Sequence, residues 1–164
     1  MNTLLCSRNE SVLRRWHEAL KDNYKTYEAT TPDHIYKLLT KITIDLVFLH
    51  RPMMNDSQLK ELLGSAREKK IFILADRPSN QEGIAILRLG CIGYSNTYIS
   101  GPRLNLAAQT VLSGLVWTGT SLMQHLLDGA SQENPEESRN GEENRNFLEK
   151  LSRREHQVAS LVAE

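Results

Sequence analysis

The feature that most restricts what this chain can fold into is an alternation. Short apolar runs at Thr3–Cys6, Tyr24–Ala29, Asp45–Leu49, Lys70–Leu74 and, more weakly, Gly93–Asn96 are separated by longer segments of helical period. Parallel strands need a crossover of a dozen or more residues between them, and a helix is the usual one. The pattern therefore predicts five βα units, completed within about 116 residues. Leu46-Val47-Phe48-Leu49 and Ile71-Phe72-Ile73-Leu74 are apolar without alternation, as strands covered on both faces must be. Tyr24–Ala29 alternates and carries polar residues, which suits an edge. The expected fold is a doubly wound five-stranded parallel α/β sheet in the flavodoxin-like order.

The helices can be placed from their buried stripes and their ends. Val12, Trp16, Ala19 and Leu20 share one face of the first, with Ser11 or Asn9 as cap. Thr31-Pro32 opens the second in cap-then-proline order, with Ile35, Leu38 and Leu39 inward. The third is expected over Ser57–Glu68, with Leu59, Leu62 and Leu63 inward. The fourth runs from Asn80 to Leu89 and is stopped by Gly90. The fifth starts near Pro102 and carries Leu104, Ala107, Ala108, Val111 and Leu115. An added sixth helix is expected over Trp117–Leu127, so the first domain is expected to span 1–127.

Beyond it the composition changes. From 128 to 146 the chain is rich in Gly, Ser, Asn and Glu, too polar to fold alone, and is expected to be an acidic linker. Its run Glu133–Glu143 reads as solvated. From 147 to 164 a helix start follows, with Ser152 and Glu155 as a capping box and Val158, Leu161 and Val162 as the apolar face. The chain stops inside that helix, so the expectation is an incomplete second domain.

Charge excludes some functions. Twenty basic and twenty acidic residues cancel, so any contact with a polyanion must come from a local patch. Cys6 and Cys91 have no CxxC spacing, the start carries no signal peptide, and no apolar run is long enough to span a bilayer. A cytoplasmic protein with no membrane contact is expected.

In an open parallel sheet the chemistry gathers at the carboxyl ends of the strands. Those ends are Ser7-Arg8-Asn9, His50-Arg51-Pro52, Ala75-Asp76-Arg77 and Asn96-Thr97. A magnesium-assisted phosphoryl acceptor needs several carboxylates, and only Asp76 is present. A nucleotide-binding turn after the first strand needs glycines, and Cys6–Glu10 has none. His17, His34, His125 and His156 make no ligand spacing with His50. No nucleophile, base and acid are expected to converge, so no enzyme, metal or cofactor is expected.

Leu4–Asn9, Asp45–Met53 and Gly90–Tyr94 resemble the corresponding stretches of bacterial response-regulator receiver (CheY-like) domains. Leu151–Glu164 resembles the first helix of a helix-turn-helix domain of the LuxR or NarL/FixJ type. The resemblance implies a two-component signal-transduction regulator of transcription that binds DNA. It also maps what has been lost: the metal-binding acids fall on Ser7 and Arg8, the phospho-accepting aspartate on His50, the hydroxyl on Ala75 and the lysine on Thr97. Only Tyr94, the aromatic whose rotamer reports activation in such domains, is kept. The implied domain is an atypical receiver that works without phosphorylation, His50 filling the vacated pocket and Asp76 pairing with Arg8 or Arg77. Phosphohistidine at His50 and an anion at Arg8 and Arg51 are the sharper alternatives.

Two further features bear on partners. Some regulators of this architecture bind cyclic di-GMP through a tetrad at the start of an added sixth helix, and Trp117-Thr118-Gly119-Thr120 keeps only its tryptophan. Tyr98, Ile99, Leu104, Val111 and Leu115 border a face that active receivers use for homodimerisation, with Met123, Leu126 and Leu127 as a second candidate seam, although such stripes are more often intramolecular core than interface. Arg153 and Arg154 are candidates for DNA phosphates, whereas base-reading residues would lie beyond residue 164. The rival class is a stand-alone protein-interaction module, and a small-molecule or protein ligand is compatible with either.

Overall fold

The computed structural model describes residues 1–131. Met1–Trp117 forms one compact unit, and a second begins at Thr118. The first unit runs β1 (Asn2–Cys6), α1 (Glu10–Leu20), β2 (Lys25–Ala29), α2 (Pro32–Lys41), β3 (Leu46–His50), α3 (Asp56–Ser65), β4 (Lys70–Ala75), α4 (Asn80–Arg88), β5 (Gly93–Asn96) and α5 (Gly101–Leu112). The five strands are parallel in the order β2-β1-β3-β4-β5, so this is the CheY-like doubly wound sheet and the alternating β2 is indeed an edge.

The helix starts follow from side chains that satisfy orphan amides. Asn9 caps α1 by accepting from the Ser11 and Val12 amides, which decides between the two expected caps. Thr31 caps α2 ahead of Pro32. Asn55 and Gln58 form a reciprocal capping box on α3, which is why that helix begins before Ser57. It also ends earlier than expected, at Ser65. Ser79 caps α4, and Gly90 (φ 104°) ends it in the left-handed region. Of the expected α2 stripe only Ile35 is buried, with Leu38 and Leu39 half-buried beside the edge strand.

Alternation along the strands splits the core in two. One face gathers Leu5, Leu46, Phe48, Phe72 and Leu74 with Trp16 and Leu20 of α1 and Leu104, Ala107, Ala108 and Val111 of α5. Phe48 stacks obliquely on Phe72 at 5.2 Å and on Trp16 at 6.4 Å. Leu4, Val47, Leu49, Ile71 and Ile73 point the other way and are equally buried. Leu104 and Val111 therefore belong to the core against α1, the intramolecular alternative for that stripe, because the apolar face of α5 has to cover the sheet.

After α5, Gly114 (φ 90°) turns the chain back along β5. There the Trp117 amide donates to Ile92 O (3.0 Å) and the Tyr94 amide donates to Trp117 O (3.1 Å). Trp117 is thus a one-residue parallel extension of the sheet and not the start of a helix. Its two hydrogen bonds satisfy outward groups on the open edge of β5. In the second unit α6 spans Thr120–Ser131, starting later than expected and continuing through the first four residues of the expected linker. Its Met123 and Leu126 are buried and Leu127 is exposed. The remainder of the linker and the helix with Arg153 and Arg154 lie outside the described residues.

Candidate functional site

Strand register decides which residues meet at the carboxyl end of the sheet. Cys6 stands opposite Leu49 and His50 opposite Leu74, so Ser7, His50 and the residues just after β4 finish at one level. There Ser7 Oγ lies 2.8 Å from His50 Nδ1, and His50 Nε2 lies 2.8 Å from Asp76 Oδ1. The Asn9 amide donates to Ser7 Oγ at 3.0 Å. A carboxylate only accepts, so Nε2 carries a ring proton, and in the neutral imidazole Nδ1 accepts from the Ser7 hydroxyl. The four groups form one directed chain, Asn9 to Ser7 to His50 to Asp76.

His50 is 6% exposed and Ser7 fully buried, whereas the Asp76 side chain is 43% exposed. The Asp76 carboxyl is held below the usual carboxylate range, first by the hydrogen bond from His50, while partial burial works against it and the Thr97 hydroxyl adds a smaller pull. The Thr97 oxygen is buried and makes no well-formed hydrogen bond itself. Behind the imidazole, Trp16 stands edge-on at 6.0 Å and donates its indole N–H to Thr97 O at 3.0 Å.

His50 is buried at the strand ends, and Asp76 pairs with His50 and not with Arg8 or Arg77. The reason is reach: the imidazole at the end of β3 already points along the sheet toward β4. Arg8 is exposed and turns its guanidinium to Met53 O at 3.4 Å. The alignment of serine, histidine and aspartate also corrects the expectation that no nucleophile, base and acid converge. A complete lack of exposed surface on Ser7, with its oxygen already accepting from Asn9, leaves no room for a substrate carbonyl. Among the described residues there is no group of three or more potential metal ligands. Ala75 is buried and offers no polar atom to the site.

A second network surrounds Tyr94, which is 3% exposed. Its hydroxyl donates to Glu82 Oε2 (2.6 Å) and accepts from the Ser79 amide (3.1 Å). Glu82 Oε1 takes the Arg51 Nε–H at 2.9 Å, and Arg51 goes on to Met54 O (2.7 Å) and to Asp56. Burial, then the hydrogen bond to Glu82, pushes the Tyr94 phenol well above the ordinary tyrosine range. Arg51 is thereby engaged with two carboxylates and is not a free anion ligand beside Arg8. Sequence reasoning named Tyr94 and Arg51 separately and missed Glu82. Its position in the first turn of α4, one helix away from β5, was the available signal.

Of the other candidates, Tyr98 is 54% exposed, whereas Leu115 and Ile99 are half-buried. Trp117 is half-buried against the core formed with α1 and α5. Cys6 and Cys91 are free and buried, and burial pushes both thiols up, Cys91 to about 12. No helix among the described residues is long and apolar enough to cross a membrane.

Strand order and crossovers are those of the CheY-like receiver fold, with a buried histidine hydrogen-bonded between a serine and an aspartate at the strand ends. No family model and no curated protein sequence matches the chain. Among solved structures it is similar to a LuxR-family two-component response regulator from Aurantimonas (14% identity, TM-score 0.70, covering 80% of this chain and 98% of that one). It is also similar to the isolated receiver domain of RcsB from Salmonella enterica with a phosphomimetic beryllofluoride (16% identity, TM-score 0.66, covering 76% and 96%). A third similar structure is that of two RcsB dimers bound to two parallel DNAs (16% identity, TM-score 0.69, covering 82% and 70%). At these identities the likeness is one of fold.

Proposed function

We propose that this chain is a DNA-binding transcription regulator whose receiver-type domain (1–127) works without aspartyl phosphate, acting by homodimerisation or by binding a ligand or protein. One observation carries the reading: Ser7, His50 and Asp76 are hydrogen-bonded in series at the strand ends, and the sequence resemblance maps a receiver's metal-binding and acceptor acids onto Ser7, Arg8 and His50. A divalent cation there would meet an imidazole, a hydroxyl already spoken for and the nearby Arg8 guanidinium, and only one carboxylate. The same burial argues against enzymatic use of Ser7 and against phosphohistidine, since Nδ1 and Nε2 of His50 are both engaged. DNA contact is assigned to the helix-turn-helix domain that begins at 147, with Arg153 and Arg154 on phosphates. The solved RcsB complex, a protein of similar fold, supports a dimer on DNA as the working form.

The reading is tested with the chain incubated with acetyl phosphate and magnesium. Intact mass should show no phosphate adduct, and DNA retention in a mobility-shift assay should be unchanged. A stable aspartyl adduct, or DNA binding that rises with the phosphodonor, overturns it. A stop codon directly after residue 164 would favour the stand-alone interaction module instead. Binding of cyclic di-GMP is not favoured, because the backbone of Trp117 is paired to β5 and its indole is packed on the core.

A further inference from the structure

The directed chain from Asn9 to Asp76 has a property that its separate bonds do not. Every group in it has one role while the imidazole is neutral: Asp76 accepts from Nε2–H, Nδ1 accepts from Ser7 O–H, and Ser7 Oγ accepts from the Asn9 amide. A proton added to the ring can go only to Nδ1, since Nε2 already carries one. Nδ1 then becomes a donor, and Ser7 Oγ has to accept from both Nδ1–H and the Asn9 N–H. The Ser7 hydroxyl proton loses its acceptor inside a fully buried pocket. At the other end the same proton turns the hydrogen bond to the Asp76 carboxylate into an ion pair. One proton thus tightens the β3–β4 side of the site and puts the β1–α1 side in conflict.

We propose that the Ser7–His50–Asp76 chain is a proton-operated switch, in which protonation of His50 reverses the Ser7 hydrogen bond and displaces the start of α1. The start of α1 is the element that gives way because Ser7 holds the amide of Asn9, and Asn9 in turn caps the helix through the Ser11 and Val12 amides. The charges around the ring other than Asp76 are arginines placed on the neighbouring turns, and the Arg8 guanidinium opposes the added proton while Asp76 favours it. On the β1 side Arg8 is turned to Met53 O; after β3, Arg51 is engaged by Glu82 and Asp56; after β4 the charges are Asp76 itself and the exposed Arg77. Trp16 from α1 and Thr97 after β5 close the pocket with uncharged groups. The proton step stands on this geometry alone; its use in regulation rests on the phosphorylation-independent reading above.

The test is a nitrogen-resolved NMR titration of the intact chain, following the His50 ring nitrogens and the Asn9 amide together. The neutral ring should be the Nε2–H tautomer, and the Asn9 amide should shift with the same midpoint as the ring. Ser7→Ala should abolish the Asn9 shift and leave the ring titrating. Asp76→Asn should move the ring midpoint to lower pH, because the charge partner of the imidazolium is gone. A Nδ1–H neutral tautomer overturns the proposal, as does an Asn9 amide that stays still while the ring titrates, or a ring that stays neutral until the chain unfolds in acid. None of these outcomes depends on whether the chain takes up phosphate or binds DNA, so failure here leaves the proposed function to its own test.

Discussion

The carboxyl ends of β1, β3 and β4 and the seam between β5 and α4 hold polar networks built on opposite plans. The first is a single file of groups, Asn9, Ser7, His50 and Asp76, with its two central members out of reach of water. The second is a branched, charged cluster, Tyr94, Glu82, Arg51 and Asp56, in which only the tyrosine is deeply buried. A buried polar group stranded by mutation costs its full desolvation, whereas a half-exposed one falls back on water. The file should therefore be brittle and the cluster forgiving, although the cluster has more bonds. His50→Ala is the largest effect expected: about 2–4 kcal/mol lost in urea denaturation, because it strands the Ser7 hydroxyl and opens a void beside Trp16. A cost under about 1 kcal/mol would show that the imidazole merely fills space.

Tyr94→Phe breaks the cluster at its one buried member and should cost less, about 1–2 kcal/mol. The ring stays packed, Glu82 keeps Arg51, and the Ser79 amide sits at an exposed helix cap where water replaces the phenol. Should Tyr94→Phe prove costlier than His50→Ala in the same denaturant series, burial is the wrong guide to which network matters.

The unequal legibility of these regions has a physical cause. The central strands β3 and β4 were readable because fully covered strands are continuous apolar runs, and Gly90 and Thr31-Pro32 punctuate their helices in ways that local backbone geometry demands. Ser7, His50 and Asp76 were each visible as strand-end residues. Their union was not, because it depends on register: sliding β3 by one residue against β1 would point His50 to the other face. Trp117 failed for the same kind of reason. A one-residue pairing to β5 has no period of its own, and the helical spacing of Leu122, Met123 and Leu126 just beyond it drew the expected helix three residues too far forward. Leu104 and Val111 were correctly seen as apolar, but a sequence gives the stripe of a helix without saying which neighbour covers it.

The two networks should also fail at opposite ends of the pH scale. The Asp76 carboxyl is held low in the folded chain, mainly by His50, so its contribution is present above the unfolded carboxylate range of about 4 and is lost as pH falls through the lower folded value. The Tyr94 phenol is held high, mainly by burial, so its contribution is complete below about 10 and is lost as pH rises from there toward the folded value. Urea denaturation across pH should show the gap between the wild-type chain and Asp76→Asn closing in acid, and the gap to Tyr94→Phe closing in alkali. The acid effect is the smaller, since the Asp76 side chain is nearly half exposed and its interactions are screened by water. Gaps that stay constant with pH would mean that neither group owes its stability to its charge state.

The smallest effect is expected at Arg8, and it bears on what holds the turns around the pocket together. Its guanidinium joins the β1–α1 turn to the turn after β3 through a single long bond to Met53 O, from an exposed position. Such a bond in water is worth at most about 0.5 kcal/mol, so Arg8→Ala should leave the denaturation midpoint nearly unmoved. If the substitution costs more than about 1 kcal/mol, the guanidinium is a true tie between the two turns, and the site is held from outside as well as through His50. If it costs nothing, Ser7, His50 and Asp76 alone close the pocket. The charge of Arg8 would then matter only for keeping a divalent cation out, a separate property that magnesium titration of Arg8→Ala against the wild-type chain would reveal.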